Sequence, residues 1–309
     1  MLAVLTGGTG FVGRYLVHEL VQSGYDVRIL TIDENDWHTD WNGSRCISHV
    51  VCPLSQLATV EPSDIASKEP DVFFHLAWSG TSGEARSDVH LQLQNVGFAC
   101  DAVRLAAKLG AHKYVNAGSI MEYEAIRFFT QDGSLPGMNN IYSIAKMTAD
   151  YMSKTVAASL GLPYVNVIIS NIYGEGEKSA RFLITILRKM MRGEDIPLTS
   201  GLQMYDFIHA QDACKAIRIV AEQGKKNENY YIGNATQKPL KQFIQQMKDI
   251  MESKSNLGFG QVPSSGHGLN YRDFDTEKML REFGFSPSVS FEEGIQKMRK
   301  SLEATEYKT

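Results

Sequence analysis

Tyr142 and Lys146 stand four residues apart in MNNIYSIAKMTAD (138–150). On a helix that spacing puts both side chains on one face, and the pair has a chemical use. A tyrosine handles protons poorly at neutral pH because its phenol ordinarily titrates near ~10. A neighbouring ammonium favours the phenolate and brings the group toward the working range. The same lysine can hold the ribose of a nicotinamide cofactor. Taken alone, the pair also fits a solvated helix face. Ser119 closes the apolar run KYVNAGS (113–119). A hydroxyl at the carboxyl end of a strand in an open α/β sheet can steady a substrate carbonyl or alkoxide, or it can simply cap a turn. Serine, tyrosine and lysine together make a proton-handling set around a carbon that exchanges hydride.

Such a set needs a hydride carrier, and TGGTGFVG (6–13) reads as its cradle. Gly7, Gly10 and Gly13 recur at every third residue between an apolar run and an amphipathic one. In a strand-loop-helix unit the helix N-terminus turns unpaired N–H groups and a partial positive charge toward a pyrophosphate. Glycine at position 7 permits the tight turn, at 10 admits the phosphate to the backbone, and at 13 lets the helix lie close on the sheet. Phe11 and Val12 lie between the last two glycines and join them as candidate cofactor contacts. Asp33 follows about twenty residues on, where a carboxylate can accept from the adenosine ribose hydroxyls; as a loop residue or helix cap it would do neither. No arginine stands between Thr31 and Asp36 to hold a 2′-phosphate. NAD is slightly favoured on this reading, and NADP stays open.

The elements that must position these residues follow in order. LAVLT (2–6), DVRIL (26–30), RCISHVV (45–51), DVFFHLA (71–77), KYVNAG (113–118) and YVNVIIS (164–170) are β-branched and nearly continuously apolar, as strands buried on both faces are. Helix-period segments run from Phe11 to Ser23, Ser87 to Leu109 and Tyr142 to Leu160. The alternation predicts an α/β fold, a Rossmann-type doubly wound parallel sheet. It lapses near Gly174, after which a helix over 180–192, a strand over 205–209 and further amphipathic pieces predict a smaller C-terminal α/β lobe. The expected division is a cofactor domain over 1–174 and a substrate lobe over 175–309, with crossing between them allowed. Loop-rich sequence is confined to 253–270 and a polar C-terminal tail.

Composition narrows the partners. The 309 residues are 43% hydrophobic and 21% charged with a formal net charge of −4, without the basic field that nucleic acid requires. No run approaches the length of a spanning helix, and no leader pattern precedes the first strand, so a cytoplasmic protein with no membrane role is expected. Cys46, Cys52, Cys100 and Cys214 are scattered without a CxxC pair, which predicts free thiols and no metal site.

The chain resembles the extended short-chain dehydrogenases/reductases, the NAD-dependent epimerase/dehydratase family. The likeness rests on TGGTGFVG, HLAW (75–78), the NV at 95–96, AGSIMEY (117–123), YSIAK (142–146), SNIYGEG (170–176), YDFIHAQDA (205–213) and the terminal FDTEKMLREFGFSPSVSFEEGI (274–295). The resemblance implies a nucleoside-diphosphate sugar as substrate, a C-terminal lobe that closes over it, Ser119, Tyr142 and Lys146 as the catalytic set, and Leu54, Leu76 and Ala77 as further cofactor contacts. It also implies a homodimer built on the long helices, for which Gln92 to Leu109 has the apolar spacing. Departures narrow the reaction. The 4,6-dehydratases of the family resemble one another in an Asp-Glu pair straight after the catalytic hydroxyl residue, where this chain has Ile120 and Met121. Fucose-synthase-like members carry a cysteine at the position of Met121. What remains needs a hydride and one proton at a single carbon, which describes a 4-ketoreductase of a 4-keto-6-deoxysugar or a 4-epimerase; a cofactor-sensing protein without turnover is a further class. The family's arginine diphosphate clamp is replaced by Tyr205, leaving Arg181 or Arg272 to supply the charge. Trp78, Ser79, Met121 and Asn171 complete the candidate substrate residues, with core packing an equal reading for Trp78.

Overall fold

The β-branched runs become strands, and all but the third, Ile47–Val51, which is half-buried to exposed, are largely shielded from water on both faces. In a computed structural model that describes residues 1–130, 137–179, 181–263 and 269–306, the chain begins with β1 (Leu2–Thr6), α1 (Phe11–Gln22), β2 (Asp26–Thr31), β3 (Ile47–Val51), α2 (Pro62–Ile65) and β4 (Val72–His75). It continues through α3 (Val89–Lys108), β5 (Tyr114–Ser119), α4 (Met121–Thr130), α5 (Asn140–Ser159) and β6 (Tyr164–Ile169). Then come β7 (Asn171–Tyr173), α6 (Phe182–Arg192), β8 (Ile196–Leu198), β9 (Met204–Tyr205), β10 (Phe207–His209), α7 (Ala210–Gln223) and β11 (Asn229–Ile232). The last elements are β12 (Lys238–Pro239), α8 (Leu240–Ile250), β13 (Leu257–Phe259), α9 (Lys278–Phe283) and α10 (Phe291–Glu306). Ala180, residues 264–268 of the loop-rich stretch and 307–309 of the polar tail lie outside the described residues.

Seven strands form one sheet in the order β3-β2-β1-β4-β5-β6-β11. β1 pairs in parallel with both β2 and β4, and the parallel pairing continues from β2 to β3 and from β4 through β5 to β6. This is the Rossmann-type α/β arrangement. Chain order reverses between β1 and β4, and it is at such a switch point, beyond the carboxyl ends of the strands, that open sheets hold ligands. Every residue of β1 is buried, and each fully buried leucine or valine contributes about 1.5–3 kcal/mol of transfer free energy. α3 and α5 meet through Val96, Ala99, Ala145 and Ala149, small side chains that let the helices approach closely.

By internal contacts the chain divides into two units. One comprises Met1–Ile169 together with Cys214–Tyr231; the other comprises Ser170–Ala213 and the described chain from Ile232 onward. A single cut at 174 would miss the return of 214–231, which carries β11 to the edge of the main sheet beside β6. The second unit has its own core, in which Phe243 sits at 5.0 Å from both Phe207 and Phe291, edge to face. Its expected strand over 205–209 is divided between β9 and β10, because Asp206 between them is fully buried and accepts the N–H groups of Asn234 and Ala235, both at 3.1 Å. Among the described residues no helix is long and apolar enough to cross a membrane.

Candidate active site

The glycine loop joins β1 to α1 in the way its spacing predicts. Gly7 takes a left-handed φ of +71°, and a Cβ there would lie 2.6 Å from the Ala77 nitrogen. A Cβ on Gly13 would lie 2.0 Å from the Gly7 carbonyl oxygen, whereas one on Gly10 would meet only that oxygen at 3.4 Å. Two glycines therefore allow backbone to touch backbone, and the middle one keeps the helix entrance bare. Gly10 is the N-cap of α1, no side chain caps the terminus, and its first turn holds no acid. A helix start of this kind fits a pyrophosphate. In that first turn Phe11 packs edge-on against Tyr15 at 5.7 Å, and the Val12 carbonyl accepts from the Cys214 thiol at 3.4 Å. Leu76 and Ala77 adjoin the loop, the Leu76 N–H donating to the Thr6 carbonyl at 3.2 Å. Leu54 is half-buried in a short turn after β3.

The aspartates of the turn after β2, Asp33 and Asp36, have different surroundings. Asp33 is exposed and caps the turn over Glu34–Asp36, accepting from the N–H of Asn35 at 2.7 Å and of Asp36 at 3.1 Å. Asp36 instead reaches the glycine loop, its Oδ2 accepting from the Thr9 hydroxyl at 2.8 Å. Two residues on, the His38 ring nitrogen Nε2 lies 2.8 Å from the Thr9 carbonyl oxygen. Asp36 was beyond the reach of a count from the last glycine, because the short turn capped by Asp33 folds the chain back toward Thr9.

Ser119 ends β5, while Tyr142 and Lys146 lie one turn apart on α5 and are both buried. The Ser119 Oγ accepts from the Met121 N–H at 3.2 Å, which leaves its own proton for another acceptor. Lys146 Nζ donates to the Ala117 carbonyl at 3.0 Å and lies 3.9 Å from the centre of the Trp78 ring. The same indole meets Tyr142 edge-on with ring centroids 6.1 Å apart. Trp78 thus borders both side chains and also packs against the small core of Val96, Ala99, Ala145 and Ala149. Burial pushes the Lys146 ammonium well below the usual lysine range, opposed by the carboxyls of Glu122 and Asp150. His75, at the end of β4, is held neutral: burial first and the Lys146 charge second lower its pKa to about 3. Its Nδ1 lies 2.8 Å from the Thr6 hydroxyl.

Further side chains, of which only Asn95 lies in a motif cited from the sequence, complete this unit. Gln92 and Asn95 on α3 are almost fully buried and clamp the loop after β4. The Gln92 amide donates to the carbonyls of Gly80 at 3.0 Å and Ala85 at 2.9 Å and accepts from the Trp78 indole at 2.8 Å. Asn95 accepts from the Ser79 N–H at 3.0 Å and donates to its carbonyl at 2.8 Å. From that loop the Arg86 guanidinium reaches to 4.2 Å from the centre of the Tyr142 ring. Apolar periodicity cannot find such residues, since they sit on the faces a helix pattern marks as core or in a loop with no period.

The remaining candidates belong to the second unit. Asn171 donates to the Asp206 carbonyl at 3.2 Å, and Tyr205 stacks on Phe207 at 5.4 Å. Arg181 pairs with Glu177 at 3.5 Å, and Arg272 is exposed in the short turn Tyr271–Asp273.

Fold and site together define an extended short-chain dehydrogenase/reductase. Residues 3–233 match the NAD dependent epimerase/dehydratase family, and the chain belongs to that family of enzymes. It is 22% identical over 325 residues to the dTDP-glucose 4,6-dehydratase of Xanthomonas campestris pv. campestris (strain B100), covering 94% of this chain and 90% of the relative. It is 23% identical over 299 residues to the CDP-abequose synthase of Salmonella muenchen, covering 96% of each. Among solved structures, DesIV, a dTDP-glucose 4,6-dehydratase from Streptomyces venezuelae with NAD and TYD bound, superposes with a TM-score of 0.79 at 21% identity, covering 99% of this chain and 98% of that one.

Proposed function

We propose that the protein reduces the C4 keto group of a nucleoside-diphosphate 4-keto-6-deoxysugar, with NAD(H) ahead of NADP(H), in the cytoplasmic synthesis of activated sugars for surface polysaccharide. The observation that carries this reading is a complete Ser119, Tyr142 and Lys146 set next to a position pair, Ile120 and Met121, that cannot move protons. Water removal across C5 and C6 needs acid-base groups there. The nearest carboxylates are engaged elsewhere: Glu122 accepts from the Ser119 N–H at 2.7 Å and Glu124 from the Ser143 hydroxyl at 2.7 Å. The names of the relatives, dTDP-glucose 4,6-dehydratase and CDP-abequose synthase, support a nucleotide-linked sugar.

Bound dinucleotide supplies the hydride. Tyr142 gives its phenol proton to the C4 oxygen as the carbonyl becomes an alcohol, and Ser119 donates a hydrogen bond to the same oxygen while charge builds on it. Lys146 holds the phenolate side of that exchange and the ribose. Trp78, Ser79 and Met121 are the proposed sugar contacts of the first unit, and Asn171, Tyr205 and the cations Arg181 and Arg272 are those of the second. The Asp36 carboxylate at the glycine loop, more than Asp33, supports a ribose with a free 2′-hydroxyl. A homodimer through α3 and α5 is part of the proposal, supported by the exposure of Leu93, Tyr151 and Met152 on those helices.

A 4-epimerase would use the same three side chains, and membership in a family named for epimerases favours it as the second reading. The test is incubation of purified protein with NADH or NADPH and a panel of 4-keto nucleotide sugars. Loss of absorbance in proportion to alcohol formed is the expected result. Interconversion of two 4-hydroxy sugars by protein with retained NAD and no added reductant establishes the epimerase instead. Tyr142→Phe should lower turnover by about 10²-fold or more while the dissociation constant for NAD holds; unchanged turnover removes Tyr142 from its role, and a protein that binds cofactor yet turns over no sugar is a sensor.

A further inference from the structure

The first unit contains a buried acid that the proposed reaction does not use. Glu122, in the first turn of α4, is only 3% exposed. Its Oε1 accepts from the Ser119 N–H at 2.7 Å, and its Oε2 accepts from the Asn166 amide at 3.3 Å. Asn166 in turn accepts from Asn116 at 2.9 Å, its neighbour across the β5–β6 register. The carboxyl lies directly against β5: a Cβ on Gly118 would stand 2.8 Å from Glu122 Oε1 and 2.5 Å from Asn166 Oδ1. Lys146 Nζ is bonded to the carbonyl of Ala117, the residue before that glycine. Three consecutive residues of one strand thus connect the lysine, the carboxyl and the serine.

The geometry points to Glu122 as the positioning residue of this centre, fixing Ser119 through its backbone N–H and supplying the anion that keeps Lys146 an ammonium as the solution becomes alkaline. This rests on the reading of Ser119, Tyr142 and Lys146 given above. Burial and the Asp150 charge push the Glu122 carboxyl up, and burial pushes Lys146 down, so the two titrate in a shared range. As pH rises through it, Glu122 releases its proton where burial alone would strip Lys146. The new anion holds the lysine's proton in place. The other ionisable groups facing the pair are His75 from β4, held neutral, Asp150 and Lys154 from α5, and Tyr164 from β6, whose hydroxyl donates to Asp150 at 2.8 Å. Tyr123, the next residue on α4, also senses Glu122. From α3 the titratable group that approaches α5 and β5 is Cys100, whose thiol burial pushes up and which meets Ser153 and Tyr114; Gln92 and Asn95 on the same helix carry no charge.

Glu122→Gln keeps an oxygen to accept from Ser119 and removes the charge. In protein carrying 13C-labelled lysine, the Lys146 resonance, assigned by its absence from Lys146→Met, should titrate about one pH unit or more lower in Glu122→Gln than in the wild type. The alkaline limb of kcat should move down with it. A midpoint and a limb that stay in place overturn the inference, since a purely structural loss lowers kcat without moving either. Should Glu122→Gln fold poorly, the reciprocal measurement serves: in protein carrying 13C-labelled glutamate, the Glu122 carboxyl resonance should titrate higher in Lys146→Met than in the wild type, because the cation that favours its charged form is gone. A Glu122 midpoint that does not rise in Lys146→Met overturns it equally. The resonance reports on the charge pair without any sugar. Failure of the proposed reaction, seen as absent turnover or as activity surviving in Tyr142→Phe, is therefore a separate result.

Discussion

A hydrogen-bonded imidazole at the bottom of the site makes stability depend on acid. His75 has a folded pKa of about 3, lowered first by burial, against an ordinary value near ~6.5. Between those two values the unfolded chain binds a proton that the folded chain refuses, so stability is full above the higher one and falls as pH drops through the window. The steepest loss from this one residue is about 1.4 kcal/mol per pH unit. His75→Asn, which can keep a bond to Thr6, should flatten the decline of the urea midpoint between pH 6.5 and 4; parallel curves for the two proteins would show that His75 does not govern it. The same burial that depresses this imidazole depresses Lys146, so one feature, a dry strand end, sets both groups. A count of spacings reveals neither effect. Tyr142 and Lys146 were readable from their interval and Ser119 from its place after an apolar run, because those depend on period and order alone. Glu122, Arg86 and Asp36 were not, since each acts through a direction that only the folded backbone sets.

At the scale of elements, periodicity carried most of the fold. The first six strands fall within a residue or two of their apolar runs, and α1, α3 and α5 match their helical spacing. Several elements of the first unit escaped, among them the one-turn α2 (Pro62–Ile65), α4 and β11. α4 (Met121–Thr130) mixes acids and aromatics with no long apolar stripe, and β11 (Asn229–Ile232) has only four residues. The loop after β4 had no pattern at all, yet α3 clamps it through Gln92 and Asn95. Gln92→Leu would leave the Gly80 and Ala85 carbonyls and the Trp78 indole without that partner, at a cost of about 1–3 kcal/mol. On the proposed sugar contacts of Trp78 and Ser79, KM for the nucleotide sugar should rise about tenfold, as 1.4 kcal/mol per decade implies, while the NAD dissociation constant holds within about a factor of two. Equal losses in both would mean that the clamp supports the sheet as a whole rather than this loop.

For the whole molecule, the question is what covers α3 and α5. Leu93 and Tyr151 are each 61% exposed and Met152 is 49% exposed, large apolar side chains left in water on the two long helices that the proposed dimer would cover. Leu93→Lys combined with Tyr151→Glu should convert a dimer to a monomer in sedimentation at micromolar concentration, with NAD affinity retained. A wild type that sediments as a monomer removes the dimer from the proposal. The discontinuity of the first unit bears on how the chain is made. β6 ends at Ile169 and its sheet neighbour β11 ends at Ile232. At about 5–20 residues per second, the ribosome needs on the order of 3–13 s to release the intervening chain. Through that interval the emerging polypeptide carries an open hydrogen-bonding edge along β6, the kind of edge that recruits foreign strands. The nascent chain is therefore exposed to mispairing until its seventh strand arrives, and slow translation between 170 and 232 would lengthen that exposure.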